Sequence, residues 1–205
     1  MIRRVAARLV VYLAALAVLS GGVALAYSSG NYSSGTYGSC EYGVSCSISL
    51  TSNGNISLDI TPASGGSCTI NSDSASVMTD DTNGYTLSLN DSSTSTALTS
   101  GSDTIAASSG SFASPTVLSA NNWGYRIDGA GGFGSGPTTA QSNVSPPSLT
   151  FAGIQPSNGT PDTLAMTSGA ADPAVATTVW FGACADTSVH SGTYTSQALY
   201  TAVAN

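Results

Sequence analysis

A strand-like alternation runs through Val44-Ser-Cys-Ser-Ile-Ser-Leu-Thr-Ser-Asn-Gly-Asn-Ile-Ser-Leu-Asp-Ile60. Apolar residues take every second position on both sides of Ser52-Asn-Gly54, which is the period of a strand with one buried face. Matching the two apolar faces sets Leu50 opposite Ile56. Gly54 then takes the left-handed position that a three-residue hairpin loop needs. The stretch predicts a β-hairpin.

Similar alternation recurs at short intervals along the rest of the chain. It predicts strands at Cys68–Asn71, Ala75–Thr79, Tyr85–Asn90, Trp123–Ile127, Thr177–Cys184 and Tyr194–Val203, with weaker strands near Ala97 and Ile105. The last of these is apolar on both faces and should lie centrally in its sheet. No stretch after the N-terminal leader shows helical periodicity. We therefore predict an all-β fold, a single antiparallel β-sandwich of the Ig-like or pilin-like kind over residues 44–205.

The N-terminus has the organisation of an export signal. Three arginines (Arg3, Arg4 and Arg8) precede the apolar run Leu9–Leu19, and Ala24-Leu-Ala26 is a small-x-small cleavage pattern. Residues 1–26 are predicted to be a helical signal peptide cleaved after Ala26. The alternative is an uncleaved membrane anchor, because an apolar stretch extended to Ala26 is just long enough to span a bilayer. Either way the protein is expected outside the cell or at its surface, with the membrane contacted only through this segment.

Residues 27–43 differ in composition from the strand-forming remainder of the chain. Tyr27, Tyr32 and Tyr37 recur every five residues among Gly and Ser. A period of five places successive tyrosines on opposite faces of a strand, so this segment is predicted to be a flexible tether.

The charge balance excludes several partners. Cleavage after Ala26 leaves Arg126 as the only permanent cation against 11 acidic residues, and the chain has no lysine. Nucleic acid and anionic lipid both need clustered Lys or Arg, so neither is an expected partner. The scattered acidic residues are typical of a solubilising surface.

Four cysteines (Cys40, Cys46, Cys68 and Cys184) in an exported chain predict up to two disulfides, with three possible pairings. If the first three strands form a meander, Cys46 and Cys68 lie two strands apart, roughly 9.6 Å at about 4.8 Å per strand. Bridged Cα atoms are seldom more than about 7 Å apart. We therefore predict Cys40 bonded to Cys46, and Cys68 to Cys184. A metal site is disfavoured because the chain lacks a C-x-x-C motif and has one histidine.

Segments towards the C-terminus resemble a known group. The run Phe181-Gly-Ala-Cys-Ala-Asp-Thr-Ser-Val-His-Ser-Gly-Thr-Tyr194 and the end Leu199-Tyr-Thr-Ala-Val-Ala-Asn205 are similar to the closing hairpin of small exported β-sandwich surface proteins of candidate-phylum (Saccharibacteria-like) bacteria. Thr82–Leu89 and Asn122–Arg126 are similar to other recurring segments of that group. The closing Gly-x-Tyr pattern also resembles spore-coat-U-like and pilin-type sandwiches. The resemblance covers about residues 82–205, implies a cell-surface role and supplies no catalytic residues.

One histidine limits the catalytic options. A serine hydrolase would have to use His190, with an acid such as Asp186, but no G-x-S-x-G elbow accompanies it. A solvated loop is the favoured interpretation. We predict no catalytic residues, no metal site and no cofactor.

Three further patterns each have a structural and a functional interpretation. Asp80, Asp81 and Asn83 could ligate calcium, but their spacing is not that of a calcium loop, and Asn83-Gly84 alone explains a turn. Trp123 and Tyr125 could form an aromatic platform for a ligand, but their alternation is that of a core strand. The N-x-[ST] triplets that begin at Asn31, Asn55, Asn90, Asn143 and Asn158 are weak signals of glycosylation in so Ser/Thr-rich a chain.

Two functions remain from these observations. The first is a non-enzymatic, acidic surface protein, structural or adhesive, which assembles with itself or with another surface component as a pilus or coat subunit does. The second is a secreted module that binds carbohydrate or a host protein through its loops, chiefly Gly129–Pro137.

Overall fold

The structure is a computed structural model that describes the backbone of residues 9–18, 36–37 and 40–41 and the whole of residues 47–205. These residues form strands, turns and loops with no helix, so the predicted all-β class is confirmed for them. They therefore include no helix with the length and apolarity needed to cross a membrane.

Sixteen strands are present in the described residues. The first eight are β1 (Leu9–Val18), β2 (Thr36–Tyr37), β3 (Cys40–Glu41), β4 (Ile48–Thr51), β5 (Ile56–Ile60), β6 (Ser67–Thr79), β7 (Tyr85–Asp91) and β8 (Leu98–Ser100). The others are β9 (Asp103–Ala107), β10 (Thr116–Val117), β11 (Asn122–Arg126), β12 (Gln141–Val144), β13 (Thr150–Phe151), β14 (Asp162–Met166), β15 (Ala171–Ala185) and β16 (Thr193–Ala204).

Twelve of these strands belong to one hydrogen-bonded sheet. Its order is β12-β6-β15-β11-β9-β8-β16-β1-β5, with β4 also paired to β6, β7 to β16, and β14 to β7. Two pairs are parallel, β9 with β11 and β1 with β16. The sheet is therefore mixed. The prediction of purely antiparallel strands over residues 44–205 was wrong for β9 with β11, and the other parallel pair involves a segment predicted as part of the export signal.

The predicted hairpin of β4 and β5 does not form. β4 pairs with β6, where Leu50 lies opposite Val77, and β5 pairs instead with β1. In the loop between them, the Asn53 amide donates to the buried carboxylate of Asp73 on β6 at 2.8 Å. Gly54 has the predicted positive φ, +92°, but it carries the chain from one ladder to another.

The longest ladder joins β6 to β15. It runs from Ala171 opposite Thr79 to Ala185 opposite Ser67. The two strands predicted within residues 68–79 are one continuous strand of 13 residues, because the ladder with β15 runs through Ser72 and Ser74 without a break.

The core lies against the inward positions of these strands. The larger apolar cluster includes Leu58, Leu87, Trp123, Phe181 and Tyr200. A smaller one surrounds the disulfide between Cys68 and Cys184. As predicted, β16 is central, because β7 and β8 pair with one of its edges and β1 with the other.

Several predictions about the N-terminal region are left open. Leu9–Val18 is an extended strand here, so the predicted signal helix is not confirmed. The cleavage pattern at Ala24–Ala26, most of the tether and the side chains of Cys40 and Cys46 lie outside the described residues.

Candidate functional site

The disulfide predicted from sequence is present. Cys68 and Cys184 lie directly opposite each other on β6 and β15, and their sulfur atoms are bonded at 2.05 Å with both residues fully buried. Excluding Cys46 as the partner of Cys68 required a meander of β4, β5 and β6. Because β4 lies beside β6, that exclusion does not hold, although the predicted pair is correct.

Both candidate platform residues are in the core. Trp123 and Tyr125 are 0% exposed on β11, between β9 and β15. The Trp123 indole donates to the Thr96 carbonyl at 2.9 Å, and the Tyr125 hydroxyl donates to the Asp162 carboxylate at 2.7 Å. Burial and this carboxylate raise the pKa of Tyr125 above its ordinary value. The core-strand interpretation is confirmed, and neither ring offers a surface on which a sugar could stack.

Arg126 anchors the Gly-rich loop of residues 129–137. Its side chain is fully buried between the rings of Phe133 and Phe151, each centred 5.9 Å from the guanidinium carbon. It donates to the carbonyls of Thr150 at 3.1 Å, Phe133 at 3.0 Å and Gly134 at 3.3 Å. Burial lowers the pKa of Arg126, and Asp128, at 3.4 Å, partly offsets that effect. The loop expected to bind a ligand is thus fixed to the core by its backbone.

A polar depression of about 600 Å³ lies elsewhere on the surface, and no residue of the 129–137 loop lines it. Residues 94–97, 106–111 and 153–155 line it. Serine and threonine make up about half of its lining residues and alanine, glycine, Ile154 and Gln155 the rest, with no aromatic side chain among them. Such a surface can form hydrogen bonds but cannot stack against a flat ligand.

A second depression of about 290 Å³ adjoins the first at Ser95 and Ala97. The buried carboxylate of Asp91 is among its lining residues, and it accepts the Ser196 hydroxyl and, at 2.8 Å, the Ser93 amide. Burial raises the pKa of Asp91, while the Ser196 hydroxyl and the Ser93 amide act in the opposite direction.

His190 has a different acidic partner from the one named from sequence. Its Nδ1 lies 3.0 Å from the Asp103 carboxylate, and both side chains are exposed. Asp186 instead accepts the hydroxyl and amide of Ser188. Within residues 47–205 no serine hydroxyl bonds to the His190 ring, so nucleophile and base are not assembled in this arrangement.

The acidic segment at Asp80 forms a turn. Asp80 accepts the Ser47 amide at 2.7 Å, Asp81 accepts the Asn83 amide at 2.8 Å, and Gly84 has a φ of +86°. Across the part of the chain that the structure describes, no group of three or more His, Cys, Asp or Glu residues could hold a metal ion. The turn interpretation therefore accounts for these residues.

The candidate glycosylation sites differ in accessibility. Asn90 is buried, whereas Asn55, Asn143 and Asn158 are exposed. The Asn143 amide oxygen accepts the Thr61 amide at 2.6 Å. Asn31 lies outside the described residues.

Sequence reasoning missed the roles of Asp91, Asp103 and the Arg126 side chain. Asp103 meets His190 across 87 positions of the chain, so no local pattern could pair them. Arg126 did carry a signal, since it is a lone cation within the strand Trp123–Ile127.

No known protein family matches the chain, and no curated protein matches it significantly.

Proposed function

We propose that this protein is a non-enzymatic structural or adhesive component of the cell surface, of the kind that serves as a subunit of a pilus or coat. We also infer that its sheet closes on itself as a two-layer β-sandwich behind an N-terminal export signal. The buried disulfide supports export, because disulfides persist in oxidising compartments.

The outward face of β14, β7 and β16 is the observation that carries this proposal. Met166 and Val203 flank Thr86 in one cross-strand row, with 67% and 49% of their surfaces exposed. Thr163, Ser88 and Thr201 form the next row. Neither row contains a charged side chain, and exposed apolar side chains on an uncharged face favour association with another surface.

Electron microscopy of intact cells tests this function. An antibody raised against residues 44–205 is expected to decorate filaments or a regular coat. Label scattered over the envelope, or found only in the medium, would contradict the subunit role.

A matched pair of variants tests the outward face itself. Val203→Lys should abolish or strongly reduce assembly of the purified protein, because it places a charge within the uncharged rows. Val117→Lys is the control, since Val117 is equally exposed, at 50%, on the separate two-stranded ribbon of β10 and β13. Equal effects of the two substitutions on sedimentation of the assemblies would remove this face from the proposal.

The alternative function is a secreted module that binds carbohydrate or protein. The hydroxyl-lined depression beside residues 106–111 favours it, because hydroxyl and backbone groups can bind sugars through hydrogen bonds. A glycan array probed with the purified protein tests it. Binding that a Ser109→Trp substitution blocks would support the alternative, and an array without binding would count against its carbohydrate form.

The proposal that the protein is not an enzyme has its own test. His190 is the only histidine of the chain and the only conventional general base for a serine nucleophile. His190→Ala should leave any hydrolase signal of a purified sample unchanged. Loss of a reproducible activity in this variant would show that the protein is an enzyme.

A further inference from the structure

Strand β5 has an unusual position in the sheet. It contributes Ile56, Leu58 and Ile60 to the core, yet it pairs with no strand of residues 47–205. Side chains cap one of its edges: Thr69 donates to the Asp59 carbonyl at 2.8 Å and Asn71 to the Ser57 carbonyl at 3.4 Å. The other edge has only β1 as a partner.

Strand β16 has the complementary edge. β7 and β8 pair with one side of it, while the side formed by Thr193–Thr201 pairs only with β1. Without β1, the domain of residues 47–205 therefore has two unpaired strand edges facing each other. Neighbouring strands lie about 4.8 Å apart, so a gap of one strand separates edges by roughly 9.6 Å. We call this gap the β5–β16 slot.

We propose that the β5–β16 slot is a strand-accepting site and that Leu9–Val18 of the same chain is its occupant in the folded protein. The apolar run would then serve as a structural strand in addition to any part in export. This inference does not depend on the proposed surface function. It does require the run to stay with the domain, which conflicts with the cleavage predicted after Ala26.

The register supports this occupant. Val11 lies opposite Leu58 and Tyr194, both buried, whereas Val10 lies opposite Asp59 and Thr193, both exposed. Alternate residues of Leu9–Val18 therefore take positions on the core side of the sheet. Backbone pairing on both edges, together with apolar positions on the core side, is the basis on which an added strand binds to a sheet.

Val10 and Val11 provide a matched test. An export signal depends on the apolarity of the whole segment, whereas a strand depends on which of two adjacent positions carries the apolar side chain. The apolar core of an export signal needs overall apolarity, so Asn at either valine should have the same effect. In a strand of the observed register, Val11→Asn changes a position that lies opposite two buried residues, whereas Val10→Asn changes one that lies opposite two exposed residues. The experiment compares the two full-length variants, refolded under oxidising conditions, by urea unfolding.

We expect Val11→Asn to raise the unfolding equilibrium constant about tenfold to a hundredfold, and Val10→Asn to leave it within about twofold. Equal effects, or no effect from either variant, would overturn the proposal.

A second experiment covers the case in which Val11→Asn does not fold. Glu41 is the only glutamate of the chain, so a glutamate-specific protease can separate residues 1–41 from residues 42–205. Cys40→Ser and Cys46→Ser remove any covalent link across the cut. In this background the fragment 1–41 should co-elute with the folded domain on size exclusion.

Release of the fragment from a domain that remains folded would overturn the proposal. So would a full-length protein that is a dimer before cutting and becomes two monomers afterwards, because that result would place Leu9–Val18 in the slot of a second copy. Protection of the Leu9–Val18 amides from hydrogen exchange in the uncut monomer is the expected result in the same samples.

Discussion

Asp91 is a carboxylate in a fully buried position, and its contribution to stability should depend on pH. Burial raises its folded-state pKa above the ordinary 3.8, so this residue favours folding most when protonated, and that contribution is lost as the pH rises through the raised value. Asp91→Asn should therefore be more stable than the wild type at pH 7, because the amide can keep both hydrogen-bond partners without a charge. The difference in unfolding free energy between Asp91→Asn and the wild type should shrink as the pH falls and Asp91 becomes protonated. Urea unfolding of both proteins between acidic pH and pH 7 measures this difference. A difference that grows towards low pH would contradict a raised pKa for Asp91.

Arg126 is the residue on which the 129–137 loop depends. Arg126→Met should lower the free energy of unfolding by about 2–3 kcal/mol, because it leaves the carbonyls of Thr150, Phe133 and Gly134 without their donor. Arg126→Lys should fall between the wild type and Arg126→Met, since it keeps a charge but loses the planar fork. Denaturant unfolding measures the change. Amide hydrogen exchange in Arg126→Met should become faster mainly in residues 129–137. Equally faster exchange in all strands would argue against the anchoring role of Arg126.

Substitutions at two turn glycines, Gly54 and Gly84, should distinguish the cost of backbone strain from the cost of a steric clash. Both have positive φ, but a Cβ on Gly84 would lie 2.3 Å from the Thr167 carbonyl oxygen, whereas one on Gly54 would meet nothing within 4 Å. Gly54→Ala should therefore cost about 1–2 kcal/mol, the penalty of the left-handed conformation alone. Gly84→Ala should cost about 3 kcal/mol or more, because Thr167 must move as well. Thermal unfolding of the two variants tests this, and equal losses would contradict it.

The existence of the strands could be predicted from the sequence better than their pairing. Alternation correctly indicated strands at Ile48, Ile56, Tyr85, Trp123, Thr177 and Tyr194, because one-sided burial imposes a period of two. The partner of β5 could not be predicted, because alternation shows which face of a strand is buried but not which strand lies beside it. The partner is the distant β1 and not the adjacent β4. Among candidate site residues, the core location of Trp123 and Tyr125 was favoured by the same alternation. The pairing of His190 with Asp103 had no local signature.

At the scale of the whole molecule, the disulfide joins strands that are 116 residues apart in sequence. Replacing Cys68 and Cys184 with alanine should lower the free energy of unfolding by about 2–5 kcal/mol, because the unfolded chain regains the freedom that the closed loop removes. Ser74→Ala with Thr178→Ala is a matched control, since this pair lies opposite on the same two strands without a covalent bond. Chemical unfolding under oxidising conditions compares the two double variants. A loss below about 1 kcal/mol for the cysteine variant would contradict the expectation.

The burial of Arg126 has a consequence for how the domain withstands proteolysis. Trypsin-like proteases cut after lysine or arginine, and Arg126 is the single such residue in the described residues 47–205. Because its side chain is completely enclosed, the folded domain presents no site to that class of enzyme. Trypsin can remove only the extreme N-terminus, at Arg3, Arg4 and Arg8, until the domain itself unfolds. The scarcity of cations, together with the burial of Arg126, should therefore make the folded domain resistant to trypsin-like enzymes.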